Sequence, residues 1–108
     1  MNGDAWYEIL GTPARPTLGL DTFGDVPRSD PRLHPQVLRE VVAEAVLADG
    51  LGIDYIGLGE HHRPDFAISA PDVVLAAIAG QTERIRLGTG VTVLSSDDPV
   101  RVYERFAT

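Results

Sequence analysis

An α/β fold with a parallel sheet is predicted by three features of this 108-residue chain. Short β-forming runs alternate three times with longer stretches of helical period. Each run passes into its helix through a polar or proline-rich loop. Each helical stretch is bounded by a proline or glycine placed where such residues start or stop helices. Strand–loop–helix alternation of this kind lays helices against a parallel sheet.

Residues 1–16 are mixed, contain Pro13 and Pro16, and read as a tail or lead-in whose apolar residues are Trp6, Tyr7, Ile9 and Leu10. Residues 17–23 (TLGLDTF) alternate and contain β-formers, which predicts the first strand. Gly24, Pro27, Pro31 and Pro35 then make residues 24–35 a loop. Over residues 36–50, Val37, Leu38, Val41, Val42, Ala45 and Val46 recur at helical spacing, and Gly50 or Gly52 stops the helix. Residues 53–58 (IDYIGL) predict the second strand, followed by the polar loop GEHHRPDF. Pro71 suits the first turn of a second helix over 71–82, with Val73, Val74, Ala77 and Ile78 as its buried face. Residues 85–94 (IRLGTGVTVL) predict a third strand interrupted by Gly88 and Gly90, a sign of close approach by another backbone or a ligand. Asp98 before Pro99 predicts an N-cap and a third helix over 99–107.

Three parallel strands cannot close a barrel, which takes eight βα units and about 250 residues. The expectation is therefore a tail over 1–16, then the first three βα units of a truncated (β/α)8 TIM barrel over 17–108. A small doubly wound domain is the alternative.

Composition excludes several chemistries. The chain has no cysteine and no lysine, which removes thiolate nucleophiles, Schiff-base catalysis and the P-loop lysine. The formal charge is −7 and the arginines are scattered, so neither nucleic acid nor an anionic membrane is an expected partner. There is no apolar run of transmembrane length and no secretory signal pattern, which leaves a cytoplasmic location by default.

The main candidate for chemistry is Gly59-Glu60-His61-His62-Arg63, because sites in parallel α/β folds form at the C-terminal ends of strands. Histidine can serve as acid or base near neutrality; alternatively one of the pair packs and the other is solvated. A metal site is disfavoured, since adjacent residues on extended backbone point apart. Gly88-Thr89-Gly90 lacks the spacing of a phosphate loop and fits either strand packing or a flat ligand lying against it. Among Ser95, Ser96, Asp97 and Asp98, helix capping is favoured over catalysis. His34 falls in the proline-rich loop as an exposed residue, while Phe23 and Phe66 line a pocket or join the core.

From about residue 17 to the end, three ordered segments resemble the luciferase-like flavin-dependent monooxygenases. They are LGLDTFGD, LADGLGIDYIGLGEHHRPDF and IRLGTGVTVLSSDDPVRVYERFAT. The resemblance implies a (β/α)8 barrel that binds reduced FMN or a deazaflavin and uses oxygen on a small organic substrate. It implies a separate flavin reductase as partner and a homo-oligomer. His61 would be the active-site histidine, Phe23 and His62 would lie in the substrate pocket, and no metal would be required. Gly90, Val91 and Thr92 would lie beneath the flavin ring, at a position where members often carry a non-prolyl cis peptide. The flavin-phosphate contacts would lie beyond residue 108. A non-catalytic flavin binder or an inert barrel fragment, and a metal-dependent hydrolase on the same barrel, are the rival readings.

Overall fold

The computed structural model describes residues 15–108. Trp6, Tyr7, Ile9, Leu10 and nearly all of the expected tail lie outside the described residues. The chain runs β1 (Gly19–Thr22), α1 (His34–Gly50), β2 (Tyr55–Gly59), α2 (Pro71–Ala79), β3 (Arg86–Val91) and α3 (Pro99–Ala107). Short 3-10 turns occupy Pro27–Ser29, Pro31–Leu33 and Leu94–Ser96. The three strands are parallel in the order β1-β2-β3, so the fold class is α/β with β2 central.

The core lies on one face of the sheet. Ile56 and Leu58 of β2 meet Val41, Ala45 and Ala48 of α1 and Leu75 and Ile78 of α2, with Ile68 and Ile85 closing the sides. Strand alternation turns Tyr55, Gly57 and Gly59 to the other face.

The end of α1 shows how local sequence fixes this arrangement. Gly52 takes a φ of +80°, a left-handed conformation that costs glycine least. The Gly52 N–H then donates to the Asp49 carbonyl and the Ile53 N–H to the Ala48 carbonyl, which is the glycine-closed Schellman termination. Asp49 lies buried at this corner. Its carboxylate accepts the backbone N–H groups of Ile85 (2.8 Å), Arg84 (3.0 Å) and Glu83 (3.1 Å), pinning the helix end to the start of β3. Those bonds, Ile85 first, then Arg84 and Glu83, hold its carboxyl below the usual aspartate range.

Several boundaries move. The strands are shorter than the patterned runs. The second begins at Tyr55 and includes Gly59, and the third ends at Val91, where residues 94–96 turn instead of extending. The first helix starts at His34, which therefore sits in a helical first turn and not in the loop. The second helix ends at Ala79 because Gly80 caps it. Of the predicted buried face, Ile78 is buried and Val74 half-buried against the core, while Val73 is 66% exposed and Ala77 is exposed; Pro71 and Leu75 complete the buried face instead. PDVVLAAIA is apolar nearly all round, so spacing alone leaves its phase open. The Gly90–Val91 peptide is trans, not the cis bond that the resemblance implied.

Candidate functional site

The ends of β1 and β2 are joined above the sheet by backbone bonds between two loops. The Val26 N–H donates to the Asp65 carbonyl and the Ala67 N–H to the Gly24 carbonyl, each at 2.8 Å, flanking an antiparallel bridge between Asp25 and Phe66. Gly24 permits this with a φ of +68°, and a β-carbon there would also crowd Ile68 Cγ1 at 3.0 Å. A second closure runs from the His61 N–H to the Ile68 carbonyl (3.0 Å), while the Glu60 N–H donates to the Val91 carbonyl at the end of β3 (3.0 Å).

These bonds bring Phe23, His61 and Phe66 together. The His61 ring stacks on Phe66 at 4.6 Å between centroids and meets the edge of Phe23 at 4.7 Å. The two phenyl rings stand 5.9 Å apart. Packing between two rigid aromatic rings thus orients the half-buried imidazole. Gly59, the residue before Glu60, is needed for this: a β-carbon there would overlap the Phe23 ring.

His62 turns away from His61. Its Nε2 bonds the Oε2 of Glu60 at 2.8 Å, and the Glu60 side chain is buried while that of His62 is 57% exposed. A carboxylate only accepts, so Nε2 carries the proton. His34, predicted to be merely exposed, donates through Nε2 to the Pro64 carbonyl at 3.0 Å and so ties the first turn of α1 to the histidine loop. All three histidines of the chain line one open cavity of about 290 Å³, together with Arg63, Phe66 and Ser69. Among the described residues no group of three or more histidines and carboxylates is placed to hold a metal ion.

The face of the sheet opposite the core is built from glycines covered by three larger side chains. Tyr55 lies across Gly19, Gly57 and Gly88, the Asp21 carboxylate across Gly57 and Gly90, and Phe23 across Gly59. A β-carbon at Gly90 would stand 2.9 Å from Asp21 Oδ1, and one at Gly88 would stand 2.9 Å from the Tyr55 hydroxyl. At the open end of this face Gly90 and Val91 are exposed, and Thr92 is fixed by a 2.8 Å hydrogen bond from its hydroxyl to that of Thr89. Asp21 and Tyr55 escaped sequence reasoning. The signal available was alternation: Asp21 and Phe23, Tyr55 and Gly57, and Gly88 and Gly90 are spaced two apart and share a face.

The acidic run before α3 has a capping role. Asp98 Oδ1 accepts the N–H groups of Val100 (2.8 Å) and Arg101 (3.1 Å), and Asp97 pairs with Arg105 at 2.5 Å.

Comparison with known proteins adds a family. A family model described as luciferase-like monooxygenase matches residues 22–108. The oxygenase component of a flavin-dependent trigonelline monooxygenase from Acinetobacter baylyi is 33% identical over 75 residues, covering 68% of this chain and 21% of that protein. In structure, apo-MsnO8 superposes with a TM-score of 0.76 at 32% identity, covering 85% of this chain and 28% of the other. The oxygenating constituent of 3,6-diketocamphane monooxygenase of Pseudomonas putida, solved in complex with FMN, gives a TM-score of 0.65 at 24% identity, covering 82% and 24%, and bears on the fold alone. The chain thus spans about a quarter of the length of these relatives.

Proposed function

Since the chain belongs to the luciferase-like monooxygenase family, we propose that it forms part of a flavin-dependent monooxygenase acting on a small organic substrate with reduced FMN and oxygen. The three βα units are read as the start of a (β/α)8 barrel. The observation that carries this is the 3.0 Å bond from the Glu60 N–H to the Val91 carbonyl. It holds the histidine segment against the exposed Gly90–Val91 backbone, so an acid–base side chain and a flat, sparsely decorated strand end share one corner of the sheet.

The residues present fit a planar ring. Gly90 offers no side chain, Val91 beside it is extended and exposed, and the Asp21 carboxylate bounds the space over Gly90 on the sheet side. In this reading Gly90, Val91 and Thr92 would hold the flavin ring, and the Thr89–Thr92 hydroxyl pair keeps that strand end in shape. When bound, the reduced flavin, FMN or a deazaflavin, supplies the electrons that activate oxygen. His61 is the catalytic residue that gives or takes a proton, held at one orientation by Phe23 and Phe66. Phe23 and His62 line the substrate pocket, with His62 oriented by Glu60. A separate reductase supplying reduced flavin and a homo-oligomeric assembly belong to the same proposal.

The test is flavin reoxidation followed by rapid mixing, using the protein purified from its source. Photoreduced FMN mixed with protein and then with air-saturated buffer should reoxidise at a rate different from free flavin. His61→Ala should move that rate back toward the free-flavin value while FMN still binds. Reoxidation at the free-flavin rate, or an unchanged rate in His61→Ala, would refute the role given to this site.

A further inference from the structure

At the end of the sheet opposite His61, a cavity of about 610 Å³ is lined by Arg15, Arg84 and Arg86 with Asp54, Ile53 and Tyr55. All nine basic residues of the chain are arginines. Among the described residues, Arg15, Arg32, Arg63, Arg101 and Arg105 each pair with a carboxylate. Arg28, Arg39, Arg84 and Arg86 do not, and two of these four open onto this one cavity. The single carboxylate in its wall is already engaged. Asp54 takes both nitrogens of Arg15, at 2.9 and 2.6 Å, and the Leu18 N–H at 2.9 Å. Among the described residues three arginines and one carboxylate thus line this concave space, a local excess of positive charge in a chain whose formal charge is −7.

Backbone bonds fix where these arginines leave the chain. Arg86 begins β3, Arg84 lies in the bend two residues before it, and both line the cavity. Arg86 stands in register with Tyr55 on the neighbouring strand. The Arg84 N–H is held by the buried Asp49 carboxylate at 3.0 Å, and the Arg86 N–H by the Asp54 carbonyl at 3.0 Å. Two guanidinium groups that make no side-chain hydrogen bond among the described residues and open onto one space match the planar, bidentate recognition of phosphate and carboxylate oxygens.

We propose that this cavity is an anion site that takes a doubly charged phosphate group, as free phosphate or as a small phosphate ester, between Arg84 and Arg86. It is independent of the flavin reading, since it lies at the other end of the strands. The experiment is an NMR titration of the arginine side-chain Nε–H signals of the full chain with inorganic phosphate and, separately, with glycerol 1-phosphate. Saturable shifts confined to Arg84, Arg86 and Arg15 are expected, with Arg28 and Arg39 as internal controls that do not move. Tighter binding of the ester would identify a ligand whose organic part contacts Ile53 and Tyr55, and equal binding would identify free phosphate. Arg86→Gln should weaken binding by at least about tenfold, the loss of one charge-assisted contact, and Arg86→Lys should restore part of it. Shifts spread evenly over all the arginines, or an Arg86→Gln variant that binds like the parent with an intact amide spectrum, would overturn the proposal.

Discussion

Placing a methyl group at Gly59 tests how the histidine corner is held. The β-carbon of Gly59→Ala would stand 3.1 Å from Phe23 Cζ and inside the van der Waals radii of Cδ1 and Cε1, so the phenyl ring must leave its seat. Forcing extra volume into a packed site costs about 1–3 kcal/mol. Against this, replacing a strand glycine by alanine returns about 0.5–1 kcal/mol of backbone entropy. The net expectation is a loss of about 1–2 kcal/mol. With Phe23→Ala in place the obstruction is gone, and the same methyl group should be neutral or slightly stabilising. The two changes should therefore couple by about 2 kcal/mol, within the range found for residues in contact. Urea unfolding of the parent, both single variants and the double variant measures this coupling, provided the m values agree. The His61 ring protons should also lose the ring-current shift that Phe23 imposes at 4.7 Å. Additivity within about 0.5 kcal/mol, the scatter of independent sites, would falsify the claim that Gly59 exists to seat Phe23.

Two further perturbations probe the frame around the site. Asp49 has its carboxyl held low in the fold by the N–H groups of Ile85, Arg84 and Glu83. Its contribution should be present above the unfolded aspartate pKa and lost as pH falls through the lower folded value. Urea midpoints followed from pH 7 down into that acid range should fall for the parent and follow a flatter course for Asp49→Asn, starting from a lower midpoint; parallel curves would count against the anchoring role. Asp98→Ala removes the cap that takes the Val100 and Arg101 N–H groups. It should cost about 1 kcal/mol and speed amide exchange at those two residues, while exchange at Ile56 and Leu58 stays slow.

Much of this fold was legible because its elements announce themselves locally. Valines at helical spacing marked α1, Asp98-Pro99 marked the start of α3, and the position of Glu60-His61-His62 after a β-run placed the histidines at a strand end. What stayed hidden depends on long-range partners. The phase of α2 could not be read from PDVVLAAIA because nearly every position is apolar, and contact with Leu58 and Ile85 decides which side is buried. His34 looked like a loop residue because its partner, the Pro64 carbonyl, is a backbone atom thirty positions away that no side-chain pattern announces. Asp49 is not singled out by any sequence pattern, though a lone carboxylate in the apolar context VLADGLG was the available hint. Phe23 and Phe66 were visible as pocket candidates, but their closure on His61 follows from backbone bonds between two loops.

Those bonds have a practical consequence for anyone reshaping the pocket. Because Gly24 and Val26 are stitched to Ala67 and Asp65, the segments 23–26 and 60–68 behave as a single cassette carried on two separate stretches of chain. Grafting a foreign histidine loop alone would leave two carbonyl and amide groups of the first segment without counterparts and would free Phe23 from its ring contacts. Donor segments for this corner must be exchanged in pairs, and sequence variation in one should be interpreted only alongside the other.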